Sequence, residues 1–304
     1  MKRSFKLFCC LFALGCFAGV SWAGGDTGCQ LIQKTDSAMV NWTEGILSAN
    51  GKGVPPEAYH GNPQGGKIAL TEAIEKARQQ LLAMAEQIPI DARSTVGEFV
   101  GNNEAAFSEL KEMIEKAEVV HQDFSTDGSV TVTIQMSMNG GFSQLMLPTR
   151  IKQIEPVKPI SPLSNGSSGN NGIEIPEADD IITGPYTGMI VDVRGINVVP
   201  CMVPRVCDEN GKEVFGAAFA SREFAVQYGM TGYLTDLSAA MKNPRVADRP
   251  LIIKGLRIGG AKGTDIVVSN TDAARLRSAS ENLAFLRQCR VLIVMDLPGE
   301  HKDG

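Results

Sequence analysis

The sequence predicts an α+β protein of two small domains. The first is a three-stranded, mainly antiparallel sheet covered by two helices, and the second is a mixed α/β sheet domain. Three observations predict it. Residues 67–88 carry apolar side chains at helical spacing, and residues 119–138 read as a β-hairpin whose second strand alternates strictly. Residues 148–182 then interrupt the pattern with Pro, Gly, Ser and Asn, and beyond them short β-rich runs are mixed with helical ones.

The chain opens with Lys2, Arg3 and Lys6, an apolar run over residues 7–20, and small residues Ser21 and Ala23 at the positions a signal peptidase reads. Residues 1–23 are therefore expected to be a secretory signal peptide, which makes the protein periplasmic. Cys16 ends a degenerate lipobox, Ala13-Leu14-Gly15-Cys16, so attachment to the outer membrane through a lipid is the less favoured alternative. No later segment has the roughly 18 consecutive apolar residues of a membrane span. Loss of the leader removes three positive charges and no negative ones, moving the formal charge from −5 to −8. So acidic a chain argues against nucleic acid as a partner, because phosphate binding needs clustered Lys and Arg.

Residues 24–38 have no clear period and are expected to be a mobile leader. The first domain is assigned to residues 39–147. Residues 39–49 have strand composition, with Gly45 marking a bulge or close backbone approach, and residues 50–66 form a loop rich in breakers. In the helix that follows, Leu70, Ile74, Ala77, Leu81, Met84, Ala85 and Ile88 fall on one stripe. Burial of each large member contributes on the order of 1.5–3 kcal/mol, and Ala69, Ala73 and Ala77 let the helix backbone lie close to a sheet. Pro89 stops it. A second helix is expected over residues 103–117, with Asn102 or Asn103 as cap. The hairpin comes next, with its turn at Thr126-Asp127-Gly128-Ser129.

In the second domain, residues 183–298, strands are expected at 187–195, 249–258, 264–268 and 290–296, with a hairpin turning at 208–212. Helices are expected after Ser221, over 234–241, and from the Ser269–Asp272 capping box through Leu286. Residues 299–304 read as a tail.

Chemistry-bearing residues are sparse. His60, His121 and His301 stand alone, and no zinc, serine-hydrolase or calcium spacing is present. The Gly259–Gly263 run separates Lys262 from Thr264 by a glycine, which a phosphate-binding loop does not tolerate, so it reads as a strand connection. Asp192, Arg194, Arg205 and Asp208 are expected to form ion pairs across neighbouring strands. Arg194, Arg205 and Lys262 are the candidate contact or ligand residues of a cleft. Catalytic, cofactor and metal residues are not assigned. Cys29, Cys201, Cys207 and Cys289 remain after export and are read either as up to two disulfides or as free buried thiols; a bridge between Cys201 and Cys207 needs a sharp bend at Pro204.

Taken together, the alanine-spaced helix with Arg78, then Thr95-Val96, then Val119-Val120 leading to Asp127-Gly128 and an alternating strand, resemble FlgP-type outer-membrane lipoproteins and the N-terminal domain of FlgT. The similarity covers about residues 40–147 and carries no catalytic residues. It implies a non-enzymatic role in envelope assembly, as a homo-oligomer or with an envelope partner, in association with the outer ring of the flagellar basal body. The alternatives are a periplasmic ligand-binding module with its cleft in the second domain and an enzyme with an unfamiliar carboxylate site.

Overall fold

The computed structural model describes residues 27–59, 62–151, 186–278 and 282–297. The expected signal peptide, most of the 148–182 linker and the 299–304 tail lie outside them, as do His60 and His301.

The first sheet starts as a meander of β1 (Ile32–Lys34), β2 (Ala38–Asn41) and β3 (Ile46–Gly53), paired antiparallel in that order. β1 falls inside the stretch expected to be a leader. Leu31 beside it is fully buried, and its carbonyl accepts a hydrogen bond from Trp42 N at 2.9 Å. The single strand expected over 39–49 is a hairpin instead, turning where Gly45 takes a φ of 66°, a conformation that costs glycine no Cβ clash.

The Asn50-Gly51-Lys52-Gly53 run, expected to open a loop, completes β3. Its glycines are points of contact with the central helix α1 (Pro63–Gln87). A Cβ on Gly51 would strike the Ala73 carbonyl oxygen, and one on Gly53 the Ala69 carbonyl oxygen. Ala69, Ala73 and Ala77 are fully buried along this seam, while Leu70 and Ile74 of the expected stripe pack at its margin. The helix starts four residues before its apolar period does. Asn62 caps it by accepting from Gln64 N at 2.9 Å, and Pro63 occupies the first turn, where a missing N–H costs nothing.

α2 (Val96–Gly101) opens with a capping box between Thr95 and Glu98, and α3 (Glu104–Glu115) with Asn103 accepting from Ala106 N. The hairpin of β4 (Glu118–Phe124) and β5 (Val130–Ser137) completes the sheet, which has the order β1-β2-β3-β5-β4. The antiparallel trio β3-β5-β4 under helices is the expected unit, and β2 and β1 extend it. α4 (Gly141–Met146) follows, burying Phe142 and Met146.

The second sheet has the order β8-β7-β11-β10-β6-β12-β9. In chain order its elements are β6 (Gly188–Asp192), β7 (Arg205–Cys207), β8 (Glu213–Phe215), α5 (Arg222–Tyr228), β9 (Gly232–Leu234), α6 (Leu237–Met241), β10 (Pro250–Gly259), β11 (Asp265–Val268), α7 (Asn270–Arg277), α8 (Asn282–Arg287) and β12 (Val291–Val294). β10, β6, β12 and β9 run parallel, whereas β11 meets β10, and β8 meets β7, antiparallel. β6 and β12 are buried along their whole length, as expected of central parallel strands. The helix expected to run from the Ser269 cap through Leu286 is divided into α7 and α8. The buried Asn282 side chain donates to the Leu276 carbonyl at 3.1 Å, taking an acceptor that a continuous helix would use itself.

One hydrophobic cluster runs from Leu31 and Trp42 through α1 and on to Ile253, Phe285 and Met295, so the two sheets share a core. A smaller cluster of Ile190, Leu234, Ala240, Val246, Leu292 and Val294 lies apart from it. Backbone bonds stitch the halves together: Met202 N to Pro89 O (3.0 Å), Val203 N to Ile90 O (2.8 Å) and Gly140 N to Val226 O (2.8 Å). Trp42 meets Tyr233 edge-on at 5.5 Å, and Arg222 donates to the Gln144, Leu147 and Pro148 carbonyls at the end of α4. Among the described residues no helix is long and apolar enough to cross a membrane.

The helix–glycine seam gives a direct test. Gly53→Ala pushes a methyl group into the α1 backbone and is expected to lower stability by about 3 kcal/mol or more in urea denaturation, above the usual cost of overpacking because the obstacle is main chain. Gly66→Ala, on the same helix with open space around it, is expected to be neutral or slightly stabilising.

Candidate functional site

The three candidate cations form three separate ion pairs. Arg194 follows β6 at the carboxyl end of the parallel strands and grips Asp192 with two bonds, Nε to Oδ1 at 2.9 Å and Nη2 to Oδ2 at 3.0 Å; Lys254 Nζ approaches the same carboxylate at 3.5 Å. Burial pushes the Asp192 pKa up, but the hydrogen bonds and charge of Arg194 outweigh it and leave the carboxyl below its ordinary value. Asp296 Oδ2 accepts from Gly195 N at 2.6 Å, tying the turn after β6 to the end of β12.

Arg205 reaches across from β7 to Asp265 on β11, with Nε and Nη2 at 3.1 and 2.5 Å from Oδ2. This is a cross-strand pair of the expected kind, as is the longer contact of Lys254 on β10 with Asp192 on β6. Arg194 pairs within its own strand end, and Asp208 pairs with Arg277 of α7 at 2.9 Å. Lys262 joins the first half to the second by bonding Glu98 of α2 at 2.9 Å. The glycine-rich run that carries it is the connection from β10 to β11. It packs so closely against Ala92 that a Cβ on Gly260 would lie 2.8 Å from the Ala92 Cβ.

Arg205 lines a cleft, a space of about 170 Å³ where the 91–93 turn of the first half faces β7 and β11. Asp91, Arg93, Arg150, Glu213 and Asp265 share its wall. Asp91 is held by Arg150 at 2.7 Å and Asp265 by Arg205, so both aspartates already have counter-ions. Glu213 Oε1 is buried without a hydrogen-bond partner among the described residues, but no Ser, Thr, Cys or His lines the cleft beside it. The arrangement holds charge of both signs, with two of its three carboxylates already paired to arginines.

Cys201, Cys207 and Cys289 are buried free thiols. Burial pushes Cys201 and Cys289 up to about 12 and raises Cys207 as well. Among the described residues no group of three or more His, Cys, Asp or Glu is arranged to hold a metal ion.

The feature that residue-by-residue reading missed is the outer strand of the first sheet. β4 pairs with β5 alone, all of its residues but Val119 are exposed, and Val120 and Phe124 stand 47 % and 62 % open to solvent. His121 lies on this strand. Residues 119–124 were read as one strand of the hairpin with no exposure assigned to them; that α1 covers β3 and β5 and stops short of β4 is a fact of packing with no local signal.

The Asp192–Arg194 pair sets a pH dependence. A carboxyl whose folded pKa is depressed adds stability above its unfolded pKa and loses it as the pH falls through the folded value. Asp192→Asn is expected to cost about 1–3 kcal/mol at neutral pH, with the gap to the unsubstituted protein closing below about pH 4 in denaturant melts at stepped pH.

No curated protein matches the chain. Residues 188–297, from the first residue of β6 to just past β12, match the family model of the second domain of Treponema pallidum Tp0624.

Proposed function

We propose that the protein is an exported, non-enzymatic scaffold of the cell envelope that works through strand pairing at β4. The observation that carries this reading is the exposure of β4 on both faces together with its open edge, because unpaired N–H and C=O groups on an outer strand are a template for another strand. Glu118 and Asp123 and the register shift between Val119 and His121 restrict that edge against indiscriminate pairing, which leaves residues 121–124 as the regular docking stretch. Periplasmic location rests on the leader sequence. Association with the flagellar outer ring rests on the resemblance of residues 40–147 to FlgP and FlgT proteins.

The test is light scattering coupled to size exclusion on residues 24–304, alone and with Val120→Lys combined with Phe124→Asp. A scaffold of this kind forms assemblies larger than one chain, and the double variant shifts them toward monomer without altering circular dichroism. A chain that stays monomeric at about 100 μM, where contacts of ordinary interface size are populated, ends the self-assembly reading.

A further inference from the structure

Between the two sheets lies a second space, walled by both halves of the chain. Trp42, Met138 and Met202 give it an apolar side, and Arg245, Thr231 and Asn139 give it a polar one. Its enclosed part measures about 60 Å³, room for a few non-hydrogen atoms, and it opens to solvent beyond that.

Arg245 is the unusual group. Its guanidinium donates to three backbone carbonyls: Nε to Cys289 at 2.8 Å, Nη1 to Tyr228 at 2.9 Å and Nη2 to Gly229 at 2.6 Å. These bonds fix its position, and the carbonyls at the ends of α5 and α8 offset part of its charge. They do not neutralise it. No carboxylate of the described residues lies within ion-pair distance, and burial pulls its pKa down to about 10. A guanidinium has five N–H groups, so one on each terminal nitrogen is still uncommitted.

Two neighbours also have hydrogen-bonding capacity to offer. Thr231 is 8 % exposed; its hydroxyl is close enough to the Tyr233 phenol to act on that group but has no partner of full hydrogen-bond geometry among the described residues, and buried hydroxyls are ordinarily paired. The Asn139 backbone bonds Ser137, whereas its side-chain amide has no partner among the described residues. A cation, a hydroxyl and an amide, each with spare hydrogen-bonding capacity, thus line one small space.

We infer that this crevice binds a short-chain carboxylate, its carboxyl group received by Arg245 and Thr231 with Asn139 alongside, and its alkyl end set against Trp42, Met138 and Met202. A carboxylate matches the two remaining terminal N–H groups of a guanidinium better than a spherical anion does. Glu44, bonded to Gln30 at 2.9 Å, also lines the opening and disfavours ligands of higher negative charge. This site is independent of β4 and of the scaffold role.

The experiment is calorimetric titration and thermal melting of residues 24–304 with acetate, propionate and butyrate, against sodium chloride and propionamide at matched concentration. Propionate at about 20 mM is expected to raise the melting temperature beyond either control, because a ligand that binds only the folded state stabilises it by mass action. Thr231→Val is expected to weaken propionate binding about tenfold, the loss of one hydrogen bond to a charged group, while leaving the unliganded protein as stable as before or more so, since it removes an unpaired buried hydroxyl. That combination separates a ligand contact from a structural one, and it holds even if Arg245→Lys fails to fold. The inference is overturned if none of the three carboxylates exceeds the chloride and propionamide controls, or if Thr231→Val binds propionate as the unsubstituted protein does.

Discussion

The backbone of α1 lies directly on the backbone of β3, and the first sheet depends on that contact. It exists because neither side carries bulk along the seam: alanines at 69, 73 and 77 on the helix, glycines at 51 and 53 on the strand. Close approach lets the larger side chains on either flank, Leu81, Leu47 and Ile134, pack between helix and sheet in one buried cluster. It also decides which strands are covered. A helix seated on β3 and β5 cannot reach β4, so the strand left bare at the edge follows from where the small residues were placed.

The second sheet is docked onto this unit rather than tethered beside it. Two consecutive backbone bonds from 202–203 to 89–90 cross the boundary, and Arg222 satisfies carbonyls at the end of α4 that would otherwise be left to solvent. Because the apolar cluster is continuous through the junction, the groups there are fixed by both halves at once. Arg245 and Thr231 come from the second sheet, Trp42 and Asn139 from the first, and the space among them has no counterpart in either half alone.

Local chemistry made much of the first half legible. Helical spacing located α1, the Asn103 cap located α3, and strict alternation located β5. Most second-half strands were legible too, since β6 and β12 are nearly continuous apolar runs, but β9 was not: Leu234, read as the start of a helix, ends that strand, and the helix begins at Leu237. Glycine misled the reading at Gly51 and Gly53, because the same residue serves a turn and a close approach, and only the partner helix distinguishes the two. Asn62 and Pro63 were read as loop although they are a helix cap and first turn, since both belong to either setting. For the candidate site the limit was more severe. Arg194, Arg205 and Lys262 were singled out as cations, but a sequence does not show that Asp192, Asp265 and Glu98 sit opposite them. Nor does it show that Arg245 lacks such a partner. A missing counter-charge is a property of the folded neighbourhood alone.

The cysteines of the second sheet have a consequence beyond packing. A thiol whose proton is held to about pH 12 is ionised to roughly one part in 10⁵ at neutral pH, and it is the ionised sulfur that attacks disulfides, binds soft metals and starts the oxidation sequence. Cys201 and Cys289 are thus small apolar side chains that happen to contain sulfur. In the folded protein these two positions therefore offer sulfur-exchange chemistry almost no nucleophile, and oxidants reach them only after the second sheet opens.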